Sequence, residues 1–297
     1  MTVTRRAFTA SALLAYGLLR TPRGAFADSK ADALAAARFT GIEKQTGGRL
    51  GVSAIDSATG LRFSYRAQER FAMCSTFKVL AVGALLARVD RRKADLNRRI
   101  RFAAGDVIDY STITKDHVSG AGMTLAEICA AALDYSDNTA ANLLLATLGG
   151  PEAVTAYARA LGDPTTRLDR TEPSLNEATP GDRRDTTTPA VMAANLRMLL
   201  LGTALAPASR EQLIRWLVAN KTGDTRLRAG FPRDWRIGDK TGSGDHGTAN
   251  DIAIAWPPGR KPVIVAVYLT ETTVAPAMRD AAIAAIGRTI AEMIASR

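Results

Sequence analysis

Ser75-Thr76-Phe77-Lys78 sets a hydroxyl and an ammonium three residues apart. On a helix that spacing puts both on one face, about one turn apart. The pattern predicts a helix over 75–89 entered from irregular chain. Ser75 then lies at its N-terminus, where unpaired N–H groups and the helix dipole favour developing negative charge. A serine is a poor nucleophile unless a base or cation stands beside it, and Lys78 could serve. The tetrapeptide alone is weak, because most S-x-x-K segments are capped helix starts followed by a surface lysine. Two further pieces strengthen it: Ser136-Asp137-Asn138 between two helical segments, and Lys240-Thr241-Gly242 on a predicted strand that continues into Ser243-Gly244. Singly these are a polar turn and a strand-end lysine. Their order, spacing and context agree, which independent accidents would rarely deliver.

Other chemistries are poorly served. With two histidines (His117, His246) and two cysteines (Cys74, Cys129), no zinc-type ligand spacing exists, and no metal or cofactor is expected. The chain has 297 residues, 46% hydrophobic and 23% charged, a globular composition with enough length to bury a core. Its first 27 residues read as an export signal. Arg5 and Arg6 precede an apolar stretch from Ala7 to Leu19, and Ala25-Phe26-Ala27 is an A-x-A-like cleavage site. Thr4-Arg5-Arg6-Ala7-Phe8 resembles a twin-arginine signal, the alternative being a Sec signal with adjacent arginines. The mature chain is expected to begin near Asp28 and to work in the periplasm or outside the cell. Four arginines and no acid leave with the signal, lowering the net charge from +10 to +6. The remaining arginines are scattered and the dense run 88–101 contains Asp90 and Asp95, so nucleic acid is not an expected partner. Past the signal no apolar run reaches the roughly 20 residues of a membrane span.

The elements that must position these residues follow from periodicity. A helix is expected over 29–46, then a hairpin of 50–55 and 61–65 joined by a turn with Thr59-Gly60. From about 75 to 220 the chain reads as helices. Thr124-Leu125-Ala126-Glu127 is a capping box, Gly149-Gly150-Pro151 ends one helix, and Thr188-Pro189 and Ser209-Arg210-Glu211-Gln212 open two more. Strands return at 235–243, 250–256 and 262–270, too close for crossover helices, so the sheet is antiparallel. A helix over 276–295 closes the chain. The expected fold is mixed α and β: an antiparallel sheet flanked by helices (28–68 with 218–297) and an inserted all-α domain (69–217). The site lies in the cleft between them. An irregular stretch over 170–185 is long for a connection and suggests function.

S-x-x-K with S-D-N and K-T-G is the signature shared by class A β-lactamases and penicillin-binding proteins. The chain resembles a class A serine β-lactamase over its whole mature length. The resemblance extends to 135–144, to Arg170-Thr171-Glu172-Pro173-Ser174-Leu175-Asn176-Glu177 and to 238–244. It implies that Ser75 is acylated by a β-lactam. The N–H groups of Ser75 and Ser243 form an oxyanion hole, and Glu172 with Asn176 holds the deacylating water. Glu172 is then the deacylation base, while Lys78 and Glu172 compete for the acylation role. Ser136 relays a proton to the leaving nitrogen, with Lys78 and Lys240 shaping the field. Asn138 faces the acyl side chain. Lys240, Thr241, Gly242, Ser243 and Arg226 sit with the substrate carboxylate, and Arg170 pairs with Asp185 to close the loop. Tyr110 is similar to the aromatic at the cleft mouth, with a core tyrosine as the alternative. Where some relatives bridge Cys74 or Cys129 this chain has Gly244 and Val82, so both thiols are expected free. The implied protein is a monomer acting on small β-lactams.

Two rivals share the trio: a D-alanyl-D-alanine peptidase and a β-lactam sensor. Glu172 with Asn176 argues against the first, and the lack of a visible transmembrane relay against the second.

Overall fold

The computed structural model describes residues 23–295. The expected export segment lies outside the described residues except for 23–27, which open helix α1 (Arg23–Thr46). Next come strands β1 (Arg49–Asp56), β2 (Arg62–Tyr65) and β3 (Phe71–Ala72), then α2 (Phe77–Asp90). The middle of the chain holds β4 (Arg99–Ile100), β5 (Met123–Thr124), α3 (Leu125–Asp134), α4 (Asn138–Leu148) and α5 (Pro151–Ala160). After a long loop follow β6 (Thr186–Thr187), α6 (Pro189–Leu200), α7 (Pro207–Ala219) and the single turn α8 (Leu227–Gly230). β7 (Arg236–Ser243), β8 (Ala249–Trp256), β9 (Val263–Thr270) and α9 (Pro276–Ala295) complete the order.

Five strands form one antiparallel sheet in the order β2-β1-β9-β8-β7, so both chain ends build it and β7 lies at its edge. All eight residues of β9 are buried. A strand covered on both faces reads as a continuous apolar run instead of an alternation. The period of two still sorts its side chains. Val263, Val265, Val267 and Leu269 join a core with Phe39, Ile286 and Ile290 of α1 and α9. Ile264, Ala266 and Tyr268 point the other way, into a core shared with the helical block. Burying each such side chain contributes about 1.5–3 kcal/mol.

α2 runs through the middle of that second core and is buried without a break from Phe77 to Ala87. A helix apolar all round is a core helix, and Lys78 in its first turn is therefore dry. The expected start is displaced: Cys74–Thr76 form a 3₁₀ turn and the α-helix begins at Phe77. Cys74 takes φ +44°, a left-handed bend that delivers Ser75 to the helix entrance.

Several local expectations hold. Thr124 Oγ1 accepts from Glu127 N at 3.2 Å while Thr124 N donates to Glu127 at 2.7 Å, closing the capping box. Gly149 caps α4 at φ +98°, and Thr188 caps α6 ahead of Pro189. Ser209 does not open its helix. α7 starts two residues earlier at Pro207, and the Ser209 hydroxyl donates to Asp90 at the end of α2 instead. The loop between α5 and α6 is also not wholly irregular, since Ser174–Asn176 form a 3₁₀ turn. No helix among the described residues is long and apolar enough to cross a membrane.

Candidate active site

Three segments converge at the edge of the sheet: the entrance to α2, the junction of α3 and α4, and β7. Two close approaches require glycine. A Cβ at Gly242 would lie 2.8 Å from Met73 O and 3.2 Å from Ser75 N, and one at Gly244 would lie 2.5 Å from Asn176 O. Bare backbone at these positions lets β7 lie against the Cys74–Thr76 turn and the loop. Asn250, on the neighbouring strand, donates to Ala72 O and Met73 O and holds the same turn from behind.

The α3–α4 junction is built around Asp137, which is fully buried. Its carboxylate caps α4 through Ala140 N at 2.8 Å and also accepts from Ile113 N, Thr114 N and the Thr114 hydroxyl. Ser136, at φ +59°, is turned out of the helix path and faces two amines. Lys240 Nζ donates to Ser136 Oγ at 2.9 Å, and Lys78 Nζ donates to Ser136 O at 2.7 Å and to Asn138 Oδ1 at 2.9 Å.

Glu172 completes the cluster. Its Oε1 accepts from Ser75 Oγ at 3.2 Å and lies 3.0 Å from Lys78 Nζ, while Oε2 accepts from Asn176 Nδ2 at 2.5 Å. Asn176 Oδ1 is buried without a partner among the described residues. The side chains of Lys78 and Glu172 are both 0% exposed. Burial lowers the Lys78 pKa, with Glu172 opposing the shift. The Lys240 pKa falls well below the ordinary lysine value, first through burial and then through the charge of Lys78. Two amines that surrender protons readily thus flank one hydroxyl, an arrangement suited to passing a proton along.

The loop that carries Glu172 is fixed at three places. Arg170 Nε donates to Asp185 Oδ2 at 2.6 Å, and the other oxygen of Asp185 accepts from Asp169 N and Arg170 N. Asn142, one helical turn beyond Asn138, clamps the Glu172 main chain: Oδ1 accepts from Glu172 N at 3.0 Å and Nδ2 donates to Glu172 O at 2.9 Å. Sequence reasoning gave Asn142 no role. The signal available was its i, i+4 relation to Asn138 on α4. Thr222, whose hydroxyl meets that of Thr241 at 2.6 Å, was also missed, since nothing local links residues 19 apart.

A cavity of about 330 Å³ opens over this cluster, lined by Ser75, Tyr110, Ser136, Asn138, Asn176 and the edge Thr241–Ser243. Tyr110 stands at its mouth and is 60% exposed, so it is not a core residue. A buried serine hydroxyl hydrogen-bonded to a carboxylate, with a second hydroxyl between two lysines, can form and discharge a covalent ester.

The beta-lactamase enzyme family model matches residues 34–294. Beta-lactamase CTX-M-8 of Citrobacter amalonaticus is 56% identical over 234 residues, 79% of this chain and 80% of that protein. An ancestral (GNCA) class A beta-lactamase structure superposes with a TM-score of 0.86 at 62% identity, covering 87% of this chain and 99% of that one. This chain belongs to the class A β-lactamases. Beta-lactamase OXY-2 of Klebsiella oxytoca is 50% identical across 86% of this chain and 88% of its own length. The putative class A β-lactamase PenP from Rhodopseudomonas palustris matches at 56% identity with a TM-score of 0.86, covering 87% of this chain and 99% of that one.

In this β-lactamase Arg226 does not line the cavity. It lies behind β7, donating from Nη1 to Gly242 O and Asn250 O, from Nη2 to Ser243 Oγ at 2.8 Å, and from Nε to Asp280 at 2.8 Å. Its reach into the site runs through Ser243. Cys74 and Cys129 are free and buried, and both histidines are exposed.

The inner position of Asp185 sets a test. Asp185→Asn leaves Arg170 with only the half-exposed Glu177 as charge partner, and removing the buried member of such a pair costs up to about 3 kcal/mol. Denaturant unfolding should read that loss, hydrogen exchange across 170–185 should quicken, and turnover should fall. Exchange and kinetics like the wild type would contradict the role of the pair.

Proposed function

We propose that this β-lactamase opens penicillins and cephalosporins through an acyl-enzyme on Ser75 that Glu172 helps water to hydrolyse, and so confers resistance. The observation that carries this reading is Glu172, bonded at once to the Ser75 hydroxyl, the Lys78 ammonium and the Asn176 amide.

As Ser75 Oγ attacks the lactam carbonyl, its proton passes to Glu172, the acceptor it already faces. Lys78, 3.0 Å from the same oxygen, holds the carboxylate in place. The N–H groups of Ser75 and Ser243 take the developing oxyanion, each donor worth about 3–4 kcal/mol. When the C–N bond breaks, Ser136, held by Lys240, gives its proton to the nitrogen; Lys78 restores it and recovers a proton from Glu172, which is again a carboxylate. Thr241, Gly242, Ser243 and Lys240 receive the substrate carboxylate, and Asn138 and Tyr110 border its acyl side chain. Water then enters beside Glu172. Glu172 removes its proton, the unpartnered Asn176 Oδ1 is free to accept its other O–H, hydroxide attacks the ester, and the proton on Glu172 passes to Ser75 Oγ as the acyl C–O bond breaks. A peptidase or sensor lacks need for this second half, which is why the Glu172–Asn176 pair favours the hydrolase.

We read the protein as a monomer exported by the twin-arginine route. One chain supplies every residue of the cluster, and Arg5-Arg6 with the apolar stretch behind them carry the export reading.

Ser75→Ala tests the reading directly: hydrolysis of a chromogenic cephalosporin should disappear with the fold intact, and substantial turnover would overturn it. Ser243 tests substrate breadth. Because its Oγ accepts from Arg226, its own O–H is free to donate to a cephalosporin carboxylate, a charged hydrogen bond worth roughly 1.5–3 kcal/mol. Ser243→Ala should lower kcat/KM about tenfold or more for cephalosporins and less for penicillins. Equal losses in both classes would leave Ser243 as a main-chain donor only.

A further inference from the structure

A second cavity, of about 110 Å³, lies between the loop that follows Glu172 and the end of the sheet. It shares no lining residue with the cavity over Ser75. Residues 178–184 form its outer wall, Arg70 and Ala72 lie beneath, and Arg49, Thr270 and Glu271 close one end. Five arginines line it, against two acids.

The excess positive charge sits on two of the five arginines. Arg49 pairs with Glu271 at 2.9 Å, and Arg184 with Asp182 at 2.7 Å, so both lining acids are already engaged. Arg170 is held by Asp185 and Glu177. Among the described residues Arg70 forms no ion pair, and the charge of Asp163 acts on it only from a distance. Its Nη1 donates to Thr165 O at 3.0 Å and to the Thr186 hydroxyl at 2.9 Å, both neutral acceptors. The Arg183 guanidinium makes no hydrogen bond or ion pair among the described residues. Burial, together with the charges of Arg183, Arg167 and Arg159, makes Arg70 a weaker holder of its proton than an ordinary arginine. One partly buried guanidinium fork, Arg70, and one exposed fork, Arg183, therefore border one confined space with no ion-paired carboxylate among the described residues, and such forks match tetrahedral oxyanions through paired charge-assisted hydrogen bonds. The volume has room for several waters, enough for one small oxyanion and too little for a lipid headgroup with its glycerol.

We propose that this cavity is a binding site for a free tetrahedral oxyanion of the phosphate or sulfate class, held between Arg70 on the inner side and Arg183 on the loop. Arg70 is tied to β6 and to Thr165, while Arg183 belongs to the segment that returns from Glu172. An oxyanion bonded to both fastens the outer half of that loop to the structure beneath it. The site is separate from the hydrolytic one, and its loss leaves the reaction chemistry in place.

Inorganic phosphate titrated into the full-length enzyme at constant ionic strength, balanced with chloride, tests the proposal. Calorimetry should show a saturable single site, and hydrogen exchange should slow across 178–186. Arg183→Gln, which removes no hydrogen bond or ion pair among the described residues, should weaken binding at least about fivefold and abolish that protection, with Arg183→Lys retaining part of both. Three results would overturn the site: an equal effect from chloride alone, protection confined to 240–243 around the substrate-carboxylate position, or wild-type binding by Arg183→Gln.

Discussion

The ion pair of Lys78 and Glu172 is the interaction on which the rest of the site depends. Both side chains are out of contact with water, and their charged atoms lie 3.0 Å apart. Removing two charges from water costs several kcal/mol each, and mutual attraction offsets that only when the remaining donors and acceptors are also satisfied. The surrounding structure supplies these. Ser136 O and Asn138 Oδ1 take the other protons of Lys78, and Ser75 and Asn176 donate to Glu172. A pair this dry cannot be left half-made, so α2, α4 and the loop must arrive together.

That demand explains features remote from the chemistry. Asp137 spends its carboxylate on the backbone and hydroxyl around Thr114, fixing the turn that offers Ser136 to two lysines. Asp185 holds the far end of the loop, and Asn142 grips Glu172 by its main chain. On the opposite wall Gly242 and Gly244 let an edge strand approach the Ser75 turn and the loop at backbone distance. Arg226 stabilises that strand from behind and leaves the Ser243 hydroxyl facing the cavity with its proton free.

The fold was legible where one period dominated. The apolar runs that became β7, β8 and β9 and the capping signals at Thr124 and Thr188 are local patterns, and the structure reproduces them within a residue or two. Ser209 was misread because a serine four residues before an apolar stretch resembles a cap, whereas Pro207 is the better first residue. Within the site, most of the side chains that converge were visible because S-x-x-K, S-D-N and K-T-G each keep their residues within one turn or strand. Asn142, Thr222 and Asp280 were not, since their roles come from partners 19 to 54 residues away in the chain. The position of Arg226 behind β7 is of the same kind: sequence placed its loop, and only packing decides which way the guanidinium turns. The lone charges of Arg70 and Arg183 likewise emerge only when every neighbouring carboxylate has been assigned.

One carboxylate standing against both the nucleophile and the water-holding amide is the centre of the hydrolytic reading, and intact-protein mass spectrometry of Glu172→Gln mixed with a penicillin measures it most directly. The expected result is a long-lived adduct of one penicillin mass, mapped by peptide digestion to Ser75, while the wild-type enzyme returns to its unmodified mass. A Glu172→Gln enzyme that keeps cycling without accumulating that adduct would contradict the deacylating role of Glu172.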